Sequence, residues 1–176
     1  TADLRHRGPD SNGTFEDASA NLQLVHTRLA IQGLGETGSQ PMISFCGRYV
    51  MVYNGEIFNL DEIEPKIQKF RKPGKIRSDT RLLLELFVAY GPSFTRFIKG
   101  MYAIAVWDKV KKQLYLFRDR SGIKPLYYYS GRDRFLFSSE MTSIIKNKDS
   151  ALQYDLEAIR KYLTYLYCPG ENTIVR

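Results

Sequence analysis

The sequence predicts an α+β fold in which antiparallel sheets build a layered interior and helices lie outside it. Three observations carry that expectation. Met101 to Asp108 and Gln113 to Asp119 read as a hairpin whose first strand is apolar on both faces, with Met101, Ala103, Ala105 and Trp107 on one side and Tyr102, Ile104 and Val106 on the other. An antiparallel sheet with one wet face alternates polar and apolar residues, so this strand is expected to be covered on both sides. Tyr49 to Tyr53 is a second apolar run of the same kind. Asp79 to Tyr90 is the clearest helix, with Leu82, Leu83, Leu86, Phe87 and Tyr90 following the i, i+3, i+4 rule.

With 176 residues, 43% hydrophobic and 26% charged, the chain can bury one substantial core. No apolar run approaches the ~20 residues needed to span a bilayer. The start, Thr1 to His6, has no apolar signal core. The expectation is a cytoplasmic protein without a membrane partner. Cys46 and Cys168 are too few and too far apart for a disulfide framework, and two histidines offer little to a metal. A net charge of +7 raises nucleic-acid binding as a question. Lysine and arginine fall in short loop clusters, 66–77 and 109–112, with no basic helix or recognition motif, so no nucleic-acid partner is expected.

In chain order, residues 1–14 read as a polar loop, since Gly8-Pro9 and Asn12-Gly13 both disfavour regular structure. Asn21 to Ile31 alternates into a strand with His26 and Arg28 on one face. An arginine on such a face needs an anionic partner or a route to water. Cys46-Gly47 reads as a hairpin turn into the strand at Tyr49. That strand's apolar run is broken by Asn54, Gly55 and Glu56. Together they offer an amide donor, a backbone open to close approach and a carboxylate that accepts from an amine. The same letters also fit an ordinary Asn-Gly turn. Asn59 is expected to cap a helix from Leu60 to Phe70, and Ser78 to cap the helix that Gly91-Pro92 ends. One turn back from Leu82 and Leu83, Asp79 falls on the apolar face, either as a ligand group or as an acidic residue offsetting the helix dipole. Arg118 to Tyr127 is a charged turn running into an aromatic strand, and Arg134 to Ser138 returns as another before a short helix through Ile145. Asp155 to Leu166 reads as an amphipathic helix.

Several segments then match one family in order. They are Arg5-His6-Arg7-Gly8-Pro9-Asp10, His26-Thr27-Arg28-Leu29-Ala30-Ile31, Gln40-Pro41-Met42, Tyr53-Asn54-Gly55-Glu56-Ile57-Phe58-Asn59, Ser78-Asp79-Thr80, Gly100-Met101-Tyr102-Ala103, Arg118-Asp119 with Gly122-Ile123-Lys124-Pro125-Leu126-Tyr127, and Ser138-Ser139-Glu140. The set resembles the glutaminase domain of class II glutamine amidotransferases, the Ntn-hydrolase type, and most closely that of asparagine synthetase-like enzymes. The resemblance implies a four-layer αββα sandwich that hydrolyses glutamine to glutamate and passes ammonia to a separate synthetase domain of the same parent chain. It implies that Arg28 holds the substrate α-carboxylate, with the Leu29 to Ile31 backbone alongside. Asn54 and the Gly55 N–H would form an oxyanion hole, and Glu56 and Asp79 would receive the ammonium and amide ends. A cation for a carboxylate and anions for an amine is the pattern an amino acid requires. No cofactor is implied for this domain; ATP and Mg are implied for the synthetase domain. A homodimer is compatible with the resemblance.

One departure decides the expectation for the chain itself. The family nucleophile is an N-terminal cysteine on a first strand, whose own amine acts as base. Thr1 lies four residues from the Arg5 loop with no strand to carry it, Cys46 sits in a turn, and Cys168 is in the terminal segment. The chain is therefore expected to have an oxyanion hole without a nucleophile, to lack the sandwich's first strand and helix, and to be inactive alone. Arg160 to Gly170 resembles the start of the synthetase domain, giving expected bounds of 1–150 for the amidotransferase domain and 151–176 for the linker and that start. The other reading is a noncatalytic remnant that binds an amino acid or a partner domain.

Overall fold

The structure is a computed structural model that describes residues 4, 6, 8, 11–28, 38–68, 78–148, 151–170 and 173–175. Leu29 and Ile31, most of the Arg5 to Asp10 run and the 69–77 part of the basic loop lie outside the described residues. The chain divides into two compact units, Thr1–Leu126 and Tyr127–Arg176.

In the first unit, β1 (Ser11–Asp17) pairs antiparallel with β2 (Leu22–Arg28). A second antiparallel sheet has the order β3-β4-β5-β6, comprising Met42–Ile43, Tyr49–Ile57, Gly100–Asp108 and Gln113–Arg118. Helices α1 (Leu60–Ile67) and α2 (Asp79–Tyr90) complete the unit. This is the expected α+β mixture with antiparallel sheets.

Both faces of β4 and β5 are buried, as their patterning predicts. Met51, Tyr53, Ile57, Tyr102, Ile104 and Val106 form one core with Ile63 and Ile67 of α1 and Leu82, Leu83, Leu86 and Phe87 of α2. Phe87 anchors that layer edge-on against Tyr49 at 5.2 Å and Phe94 at 5.4 Å. On the opposite face, Val50, Val52, Ala103, Ala105 and Trp107 are buried. There the Trp107 indole donates to Asp17 of β1 at 3.0 Å. Each large apolar side chain sequestered in this way contributes about 1.5–3 kcal/mol.

Three local expectations are corrected. Residues 11–14 belong to β1 rather than to a loop. Gly13 sits opposite His26, and a Cβ there would strike the Gln40 carbonyl, so this glycine serves a close approach and not a turn. The Asn54-Gly55 pair does not turn either, because β4 runs on in register with β5 to Ile57 opposite Gly100. The hairpin turn lies where expected, at Cys46-Gly47, with Gly47 at φ +72° and its N–H on the Ser44 carbonyl at 2.9 Å. Asn59 precedes α1 without capping it. Its carboxamide instead accepts from Lys99 N–H at 2.8 Å and donates to the Phe97 carbonyl at 3.0 Å, tying the exit of β4 to the entry of β5. Helix α1 ends at Ile67; residues 69 and 70 of the expected span lie outside the described residues.

Ser78 caps α2, accepting from Arg81 N–H at 3.4 Å, and Gly91 ends it with its N–H on Phe87. In the second unit, β7 (Tyr127–Ser130) pairs with β8 (Phe135–Ser138), followed by α3 (Met141–Asn147) and α4 (Leu156–Tyr165). Asp155 caps α4 through Glu157 and Ala158 N–H at 3.0 and 3.1 Å. No helix among the described residues is long and apolar enough to cross a membrane.

Candidate functional site

The main chain of Tyr53 is a junction between three segments. The register of β3 on β4 ends at Met42 opposite Met51, which would place residue 40 across from Tyr53. Pro41 intervenes and brings no N–H to a ladder. The Gln40 side chain takes over, its Oε1 accepting from Tyr53 N–H at 2.6 Å and its Nε2 donating to the Tyr53 carbonyl at 3.1 Å. His26 of β2 reaches the same carbonyl through Nε2 at 3.2 Å. A carbonyl only accepts, so Nε2 carries the proton in this bond. Burial holds the imidazole pKa below its ordinary value; the carbonyl bond opposes that, and the nearby Arg28 charge reinforces it. Gln40 Nε2 also lies 3.5 Å from Thr80 Oγ1. Thr80 in turn donates to Asp79 Oδ1, from its N–H at 2.6 Å and its hydroxyl at 3.3 Å. One run of polar contacts thus links β2, the far end of β4 and the first turn of α2.

Strand geometry then fixes where the Gly55 backbone points. In an antiparallel strand alternate residues direct both N–H and C=O to the same edge. Tyr53 directs its pair at Gln40, so Gly55 faces that edge too, beyond the end of β3, where no described strand pairs with it. The other side agrees. Tyr102, opposite Gly55, directs its N–H to Asp119 Oδ2 at 3.2 Å and accepts from Asp119 N–H at 2.9 Å. Gly55 and Tyr102 are therefore a close pair with no hydrogen bond between them. A Cβ at Gly55 would run into the Met101 carbonyl and Tyr102 Cα, so only glycine fits. Asn54 and Glu56 flank it, half-buried and exposed respectively.

Arg28 ends β2, two residues past His26. Its backbone lies against Gly8, where a Cβ would collide with it, and its guanidinium against Gly38, where a Cβ would come within 2.8 Å of Nη2. Asp79 is half-buried at the start of α2. The Tyr53 hydroxyl is held above its ordinary pKa first by burial, then by the negative charges of Asp79 and Glu56. Asp79 and Glu56 thus bear electrostatically on one buried tyrosine, Asn54 and Gly55 follow it along β4, and Arg28 ends the strand whose His26 touches its carbonyl; Leu29 and Ile31 lie outside the described residues.

Cys46 occupies the turn before Tyr49, its Sγ 3.2 Å from Ser44 Oγ. The six residue steps from Tyr49 to Gly55 put it about 20 Å from the Gly55 end of β4. Cys168 is half-buried in the second unit. Among the described residues no group of three or more His, Cys, Asp or Glu could hold a metal ion.

Two supporting residues carried no role in the sequence reading. Gln40 has no local signal beyond its place before proline. Asp119 does, since an aspartate three residues before a glycine suggests a side-chain-closed turn. Asp119 accepts from Ile123 N–H at 2.9 Å and Lys124 N–H at 3.0 Å, and Gly122, at φ +64°, closes the turn on its carbonyl. Burial raises its pKa, but backbone donors from Lys124, Ile123, Tyr102 and Ser121 outweigh that and hold it below the ordinary value.

Known proteins share this sequence pattern and fold. The glutamine amidotransferase domain family matches residues 1–176. The chain is 33% identical to asparagine synthetase (glutamine-hydrolyzing) 1 of Bacillus subtilis (strain 168), covering 96% of this chain and 26% of that protein. It is also 33% identical to asparagine synthetase (glutamine-hydrolyzing) 2 of the same organism, covering 96% of this chain and 21% of that protein. The chain therefore spans about a quarter of the length of these relatives. Among solved structures, glutamine phosphoribosylpyrophosphate amidotransferase from B. subtilis superposes with a TM-score of 0.56 at 20% identity, over 69% of this chain and 28% of that one. That likeness is one of fold alone.

Proposed function

The chain belongs to the class II glutamine amidotransferase domain family, and from that premise we propose that it is the glutamine-binding and oxyanion-stabilising part of an asparagine synthetase-like amidotransferase. The observation that carries this reading is the Gly55 N–H, directed at a strand edge where no described strand pairs with it, next along the chain to Asn54. Attack of a thiolate on the glutamine carboxamide carbon turns its carbonyl oxygen into an oxyanion. Gly55 N–H and Asn54 Nδ2 are the donors for it, and one such donor is worth about 2.7–4 kcal/mol in the transition state. Arg28 supplies the cation for the α-carboxylate, and Glu56 and Asp79 supply the anions for the amine side. Collapse of the adduct releases ammonia, and water then frees glutamate from the acyl-thioester.

The thiolate is not that of Cys46, at the far end of β4. We assign it to an N-terminal cysteine of the parent protein, borne on a first strand that completes a four-layer αββα sandwich. In the whole protein the ammonia would pass to a synthetase domain, which would use ATP and Mg to activate aspartate or another carboxylate.

The test is ammonia release from glutamine by the full-length protein and by its Asn54→Ala variant. The reading expects release by the first and a loss of about a hundredfold or more in kcat by the second. Full-length protein that releases none would sink it, and undiminished release by the variant would move the oxyanion hole elsewhere.

A further inference from the structure

Tyr53 has a polar group that the proposed chemistry leaves unused. The residue is 4% exposed, and its hydroxyl has no hydrogen-bond partner among the described residues. A core position that wanted only an aromatic ring would be better served by phenylalanine, because an unpaired buried hydroxyl opposes folding. Such a group persists where a bound partner completes it. Asp79 is the nearby anion, in a contact that disfavours phenol ionisation but is too long to satisfy the hydroxyl as a hydrogen bond. Its Oδ1 is occupied by both donors of Thr80, while Oδ2 takes no hydrogen bond from any described residue. The Tyr53 ring is packed in the core formed by β4, β5 and the two helices, which leaves it little freedom to seek another acceptor.

Resting on the reading of this site as a glutamine pocket, we propose that Tyr53 is a positioning residue for the amine end of the substrate. When an α-ammonium seats against Asp79, the Tyr53 hydroxyl donates to that carboxylate and holds it in the amine-binding orientation. The phenol thereby sets the preference for an amino acid over the same molecule without its amine.

The experiment compares the full-length protein with Tyr53→Phe, using L-glutamine and glutaramate, the analogue lacking the α-amine. Wild type is expected to favour glutamine in kcat/KM. Tyr53→Phe is expected to narrow that preference by about tenfold, through a higher KM for glutamine with little change in kcat and none for glutaramate. Its ligand-free thermal midpoint should equal or exceed wild type, since the orphan hydroxyl is gone. Adding Tyr53→Phe to Asp79→Asn should weaken glutamine no further than Asp79→Asn alone, because the two act as one unit. Equal weakening of both substrates, or unchanged discrimination at any midpoint, overturns the proposal while leaving the glutaminase reading intact. A wild type that hydrolyses neither substrate overturns both.

Discussion

The Gln40 carboxamide pairs with the main chain of Tyr53 as a neighbouring strand residue would, accepting at 2.6 Å and donating at 3.1 Å. This makes a side chain the last rung of the β3–β4 ladder. Gln40→Ala should cost about 1–3 kcal/mol, the range for leaving buried backbone groups unpaired. Gln40→Glu should cost more, since it sets a carboxylate against the Tyr53 carbonyl. Urea unfolding measures the cost, and amide exchange at Tyr53 should accelerate in Gln40→Ala, which loses the acceptor for its N–H; unaltered exchange there would show that the rung is dispensable.

Asn59 gives a cleaner discrimination. If it were a helix cap, serine would replace it with a small loss. Because it joins Lys99 and Phe97 on the approach to β5, Asn59→Ser should be about as damaging as Asn59→Ala, roughly 1–3 kcal/mol each. Equilibrium denaturation of the two variants decides the matter, and full rescue by serine would restore the capping role.

The pH response of stability has an identifiable contributor in Asp108. Arg48 grips it through two nitrogens, Nε at 2.9 Å and Nη2 at 2.6 Å, while Val110 and Lys111 N–H also donate to it. The guanidinium bond is the chief reason its pKa falls from 3.8 to about 2, against the opposing effect of burial. A carboxylate with a depressed folded pKa stabilises fully above its unfolded value and loses that contribution as pH falls through the folded one. Arg48→Met should therefore lower the urea midpoint by a constant amount from neutral pH down to about 4, and the gap should close between 3.8 and about 2. A gap that persists unchanged at the acid end would point to packing of the arginine stem.

For the proposed pocket, Arg28→Met in the full-length protein should raise KM for glutamine by about 10- to 100-fold, the worth of a charge-assisted pair, with a smaller effect on kcat. Ammonia-dependent synthesis by the same variant should be unimpaired. Equal loss of both activities would show damage reaching beyond the glutamine site.

The parts of the fold that could be read in advance were those set by local period. Helix α2 announced itself through its leucines and its Ser78 and Gly91 ends, and the β5–β6 hairpin through apolar residues on both faces. What could not be read was where glycine and asparagine act at a distance. Asn12-Gly13 looks like a turn because its partner is the carbonyl of Gln40, far along the chain. Asn54, Gly55 and Glu56 drew notice as candidate ligand groups. Their continuation as strand was hidden, because pairing with Gly100 to Ala103 overrides their weak strand preference. Gln40 was silent, since its role exists only once Tyr53 lies beside it.

The close pair of Gly55 and Tyr102 also bears on how β4 and β5 find their alignment. Strands with one wet face are held in register by burial, because a one-residue slip turns their apolar side chains outward. β4 and β5 are apolar on both sides, so a slip would cost them little by that measure. Sterics supply the missing code. Gly55 is the one residue that fits beneath the Met101 carbonyl, and Gly100, opposite Ile57, clears the Glu56 carbonyl in the same way. Two vacant side-chain positions act as a key and its slot, because in this alignment a side chain at either would strike the backbone of the neighbouring strand.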